Sequence, residues 1–187
     1  DDSARGMSFR KSGSIDMRMD RSGGQTALEL IESVTDDELA DILHQLCEER
    51  RARRVARCIK QALATGELRT TADLRRAVVR AVGPARIGGV DPATRTFQAL
   101  RMAVNRELDE VDTLVARAPD VLRGGGVLVV IAFHSLEDRI VKRGLRDRDL
   151  WEVITHKPLV PDDDETARNP RSRSAKLRAA WRREAAS

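Results

Sequence analysis

The sequence predicts an α/β protein in which a long helical section precedes the sheet. Three observations carry that reading. Apolar stripes at helical spacing run between residues 26 and 83. A seven-residue apolar run, Val127 to Phe133, follows a glycine turn, and the 187-residue chain is 41% hydrophobic and 34% charged. Such a composition suits a folded, helix-rich protein rather than a disordered one. The longest apolar run is far short of the ~20 residues that a membrane span requires, so a transmembrane protein is excluded.

Residues 1–25 lack apolar periodicity and carry Gly6, Gly13, Gly23 and Gly24, so they read as a long lead-in loop. Within it, Asp16-Met17-Arg18-Met19-Asp20 reads as a strand-like or turn segment with both methionines tucked in. Residues 26–90 read as a compact helical unit. Thr35 and Glu38 have capping-box spacing, and Leu39, Ile42, Leu43 and Leu46 follow on one face. A second helix carries Val55, Ile59 and Leu63 and stops at Gly66, while a third buries Leu74, Val78 and Val82 and ends at Gly83-Pro84.

Residues 91–187 read as the α/β part. Asp91-Pro92 opens a helix whose apolar face, from Phe97 through Val115, persists until Pro119. Gly124 to Gly126 then lead into the run 127–133, which reads as a strand buried on both faces of a parallel sheet. A helix from Leu136 to about Leu145 follows, then strands at Trp151–Thr155 and Lys176–Trp181 joined by a polar loop.

Basic residues exceed acidic ones by 34 to 30, a surplus too small to identify a partner, so its distribution matters. From Glu48 to Lys60 there are six basic residues against two glutamates, and helical spacing sets Arg50, Arg53, Arg54 and Arg57 on one face. That face is either solvated or a phosphate grip. A second concentration, seven basic residues and one acid, lies between Thr166 and Ser187, with Arg171 and Arg173 in a turn-rich stretch. Few aromatics interleave these charges and there is no tyrosine, which argues against broad single-strand binding by base stacking. Cys47 and Cys58 lack C-x-x-C spacing, which points to a reducing, cytoplasmic setting and away from zinc or disulfides.

Ligands in open α/β sheets bind beyond the carboxyl ends of the strands. His134 and Ser135 stand there. A hydrolase would need a nucleophile elbow, and Ala132-Phe133-His134-Ser135-Leu136 lacks both glycines. A metal site would need convergent ligands, yet His44 and His156 share no spacing with His134. Two readings remain for His134, a site wall touching a cofactor or base and a structural residue. Ser135, with Asp138 three residues on, fits a helix cap.

Four strings in this order and spacing carry a resemblance: Ser14-Ile15-Asp16-Met17-Arg18-Met19-Asp20, Asp91-Pro92-Ala93-Thr94-Arg95-Thr96-Phe97-Gln98-Ala99-Leu100-Arg101, Phe133-His134-Ser135-Leu136-Glu137-Asp138-Arg139-Ile140-Val141-Lys142, and Asn169-Pro170-Arg171-Ser172-Arg173-Ser174. The chain resembles, over essentially its whole length, the cytosine-N4 methyltransferases of small-subunit ribosomal RNA. It departs from them at Ser14-Ile15, where Pro-Leu is usual, and at Asp91, where histidine is common.

The resemblance implies a class I, Rossmann-like methyltransferase fold, incomplete here, with an inserted all-α domain that recognises RNA. It implies S-adenosylmethionine as methyl donor, ribosomal RNA in the small subunit as partner, and His134 and Ser135 at the methyl-transfer pocket. Arg50, Arg53, Arg54, Arg57, Arg95, Arg171 and Arg173 are then the expected RNA contacts. The donor's glycine-rich cradle is expected ahead of Asp1, because Gly124 to Gly126 precede a strand whereas such a cradle follows one and opens a helix. Without those strands the run 127–133 should lack a neighbour on one side, which favours aggregation or a homodimer. A non-catalytic nucleic-acid-binding module using the same arginines is the alternative.

Overall fold

The computed structural model describes residues 5–9, 12–84 and 89–184. The lead-in residues 1–4 and 10–11, the stretch 85–88 and residues 185–187, which belong to the segments anticipated above, lie outside the described residues. The chain forms two compact units, Asp1–Arg106 and Glu107–Ser187.

The first unit is helical: α1 (Ala27–Ser33), α2 (Asp36–Cys47), α3 (Ala52–Ala64), α4 (Thr71–Val82) and α5 (Ala93–Val104). Capping boxes start three of them, at Thr26–Glu29, Thr35–Glu38 and Thr70–Asp73, each side chain satisfying the other's free backbone N–H. Asp91 Oδ1 accepts the Ala93 N–H at 2.9 Å, so aspartate does open α5. Leu39, Leu43, Val55, Ile59, Leu74 and Leu100 are fully buried in one core, which Ile15 and Met17 complete from the lead-in segment.

Two expectations for this unit are corrected. Met17 is buried, but Met19 is 52% exposed: Met17 takes a left-handed backbone (φ 62°), which breaks strand alternation. The helix expected from Asp91 to Pro119 is two helices. Asn105 ends α5, and Arg106 turns left-handed (φ 49°) before the next helix begins. α5 packs on α2, within the compact unit that runs to Arg106.

The second unit comprises α6 (Glu107–Val121), β1 (Val127–Ala132), α7 (Ser135–Gly144), β2 (Trp151–Val153), α8 (Asp163–Arg168), a 3₁₀ turn (Pro170–Ser174) and β3 (Lys176–Arg182). Its sheet has the order β1-β3-β2. Both pairings are antiparallel, with Val127 opposite Trp181 and Ala132 opposite Lys176 on one side of β3. The parallel, doubly covered reading of β1 is thereby corrected. An apolar run reports strand propensity, but which strand pairs with it is decided by β3, which returns from more than forty residues away.

Leu128 and Val130 pack on a core of Val115, Ala118, Val141, Leu145, Trp151 and Ala180. The other face is bare: Val129 and Ile131 are each 53% exposed and Phe133 is 54% exposed. As anticipated, β1 is an edge strand with no neighbour beyond it among the described residues. Beneath the sheet, α6 and α7 approach so closely at Gly144 that a Cβ there would overlap Val115. Among the described residues no helix is long and apolar enough to cross a membrane.

Candidate functional site

The carboxyl end of β1 passes directly into α7, and the turn between them is held by an unusual cap. His134 occupies the position that serine or threonine fills in an ordinary capping box. Its Nδ1 accepts the Glu137 N–H at 3.3 Å, while Glu137 Oε2 accepts the N–H groups of Phe133 at 2.9 Å and His134 at 3.3 Å. His134 Nε2 lies 3.1 Å from Glu137 Oε1, but it is buried and its N–H does not aim at that oxygen, so it makes no hydrogen bond. Burial pushes the Glu137 carboxyl up, yet the His134 side chain and the Phe133 N–H outweigh it and hold the group below its ordinary value.

Histidine, not Ser135, is therefore the helix cap. The Ser135 side chain stands exposed in the first turn, and the Phe133 ring two residues earlier is exposed as well. One residue beyond Glu137, Asp138 receives Arg178 in a two-pronged ion pair, with 2.6 Å from Nε to Oδ1 and 3.3 Å from Nη2 to Oδ2. The Arg178 side chain is only 7% exposed, so this pair fastens α7 to β3 from within.

The arginines divide between the units. Arg53, Arg54 and Arg57 are exposed on α3, whose inward face buries Val55 and Ile59. Arg50 is not on that helix: α2 ends with Glu48 in a left-handed conformation, and α3 begins only at Ala52. Arg50 nevertheless lines one concavity with Arg53, Arg54 and His44. It also lines a second with Arg51, Asp91 and Arg95, so Arg95 joins the group from α5. Arg171 and Arg173 are exposed on the 3₁₀ turn of the second unit. The first turn of α3 itself carries no acid, but Glu49 accepts the Arg51 N–H at 2.9 Å just ahead of it, and Asp41 and Glu49 line the same concavity as Arg50, Arg53 and Arg54.

Sequence reasoning did not single out Glu137, Arg178 or Arg51, and it took Asp138 only as a capping partner of Ser135. The spacing of His134 and Glu137 is that of a capping box and could have been read as one. Nothing local announces Arg178, whose partner is forty positions away. The two cysteines are free, and burial pushes the Cys47 thiol up to about 11, which makes it a poor nucleophile at neutral pH.

The MraW methylase family matches residues 1–183. The chain belongs to that family. It is 68% identical over 97% of its length to "Ribosomal RNA small subunit methyltransferase H" of Sorangium cellulosum, covering 58% of that protein. Proteins of the same name from a Cyanothece strain and from Acidobacterium capsulatum are 51% and 49% identical over 99% and 96% of this chain, which covers 62% and 61% of them. The chain thus spans about three fifths of the length of the curated relatives it matches.

The family implies a methyl donor, and the described residues do not form its cradle. The turn at Gly124 to Gly126 is closed by the sheet itself: the Gly125 N–H donates to Arg182 O at 2.8 Å, and Gly126 O accepts the Arg182 N–H at 2.7 Å. A Cβ at Gly124 would press on Glu184, so that glycine accommodates the chain's own backbone rather than a ligand. The strand that does open a helix, β1, does so through Phe133 and His134, which bring bulk in place of glycine.

Proposed function

We propose that this chain is part of an S-adenosylmethionine-dependent methyltransferase that modifies a cytosine N4 amine in small-subunit ribosomal RNA. The observation that carries the proposal is the family match over residues 1–183, joined to 68% identity with a relative bearing that enzyme's name. In this reading the chain supplies RNA grips and one wall of the pocket, and the donor's cradle belongs to the two fifths of the relatives that has no counterpart here. The fold would be a class I methyltransferase sheet of which β1, β3 and β2 are one end, with residues 26–90 as a helical RNA-recognition insert.

Supporting this, β1 presents a free edge and a bare apolar face, where further strands and helices could pack. Left uncovered, that surface is expected to make the chain self-associate as a homodimer or larger species. Arg50, Arg53, Arg54, Arg57 and Arg95 on one unit, with Arg171 and Arg173 on the other, would hold phosphates and fix the register of the RNA. The target cytosine must leave its stack to reach an enclosed pocket. Its exocyclic nitrogen must then face the methyl group in line, which is a matter of positioning. The turn at His134 and Ser135, with the Phe133 ring, is the surface that would border the displaced base.

The test is isothermal titration of S-adenosylmethionine into this chain and into the parent polypeptide extended ahead of Asp1. Binding is expected only for the longer species, accompanied by methylation of small-subunit RNA. If neither species binds the donor, the enzyme reading fails and the non-catalytic RNA-binding module takes its place.

A further inference from the structure

We infer that His134 is a positioning residue: its neutral imidazole caps α7 through Nδ1, is held in one tautomer by Glu137, and offers no nitrogen to a ligand. The inference deepens the proposed function only in naming what the His134 turn borders, because the cap itself is a property of this chain.

The chemistry follows from which atoms face which. Nδ1 lies 3.3 Å from a backbone N–H, the amide of Glu137, and can accept only if it carries no proton. The ring proton of the neutral imidazole then sits on Nε2, the atom that faces the Glu137 carboxylate at 3.1 Å. The opposite tautomer would set an Nδ1 proton against the Glu137 N–H, losing the one hydrogen bond the ring accepts, and would leave a bare nitrogen lone pair near a carboxylate. Glu137 reinforces the choice by tying down the Phe133 and His134 amides with its other oxygen. Four groups of two residues thus close one ring of contacts around the end of β1.

Solvent exposure agrees. The His134 side chain is 15% exposed, and its Nε2 is fully buried. Both nitrogens are turned into the first turn of α7, whereas the neighbouring Phe133 ring is 54% exposed. A histidine that polarised or deprotonated a substrate would need a nitrogen on the open side. His134 instead fixes where α7 starts, and so where Phe133 and Ser135 stand.

Long-range proton–nitrogen NMR correlations on this chain read the tautomer directly. Nδ1 is expected to show the shift of an unprotonated acceptor and Nε2 that of a protonated nitrogen. Hydrogen exchange of the Glu137 amide, with amides of β3 as the control for intact folding, then separates capping from mere bulk. His134→Ala should speed that exchange about fivefold, the size of a lost cap, while His134→Asn, which keeps a capping acceptor, should restore protection to within about twofold. A proton on Nδ1, or equal exchange in the alanine and asparagine variants, would overturn the inference. No donor or RNA enters these measurements, so their failure is distinct from a failure of the methyltransferase reading.

Discussion

The two units finish their folding differently. In the first, capped helices surround a core, and among the described residues the exposed large apolar side chains are Met19 and Val90. In the second, Val127, Val129, Ile131, Phe133, Ile154, Leu159, Val160 and Trp181 are all exposed on or beside a three-stranded sheet. The contrast teaches that a unit can be locally well made, with a packed core on one face, and still present a surface that water does not suit. Contiguous apolar exposure of this kind marks an interface rather than a finished exterior.

The comparison can be broken with substitutions read separately in each unit. Both tryptophans, Trp151 and Trp181, lie in the second unit, so their fluorescence follows it, while far-UV circular dichroism is dominated by the helices of the first. The largest effect is expected at Asp138→Ala, which leaves the buried Arg178 guanidinium unpaired and should cost about 3–5 kcal/mol in the fluorescence-detected transition. Leu43→Ala should cost about 2–5 kcal/mol in the dichroism-detected one, because Leu43 is fully buried in the helical core. Val129→Ala removes comparable bulk from the bare face and should change stability by about 0.5 kcal/mol or less while weakening self-association in light scattering. A large stability loss at Val129 would show that the face is covered in solution.

The smallest effect concerns acid. The hydrogen bond from the Arg18 side chain holds Asp16 below the usual aspartate range, and Glu137 is likewise lowered. Each folded-state value is depressed, so each group stabilises its unit above the ordinary carboxyl range of about 4, and that contribution is lost as pH falls through the lowered value. Glu137→Gln should flatten the acid limb of the fluorescence transition and leave the dichroism limb unchanged. Equal flattening of both would contradict the assignment.

How much of this was legible beforehand depends on whether a feature is local. Thr35 with Glu38, the apolar stripes of α2 to α4, and the positions of β1, β2 and β3 all follow from neighbours within a few residues, and they stand. The partner of β1 and the single-sided burial of its residues depend on Lys176–Arg182, and no pattern within 127–133 encodes them. The helix split at Arg106 was invisible because apolar spacing continues through the left-handed residue that interrupts the backbone. At the candidate site, the position of His134 was legible and its orientation was not. An imidazole suits a pocket or a cap equally until the atoms around each nitrogen are known.

The close approach at Gly144 carries a consequence for that turn. α7 begins at the site and ends against Val115, so its far terminus has no room for any side chain at Gly144. A methyl group placed there would act as a shim under a lever, prying the helix away from α6 and displacing Ser135 without touching any residue that a substrate could meet.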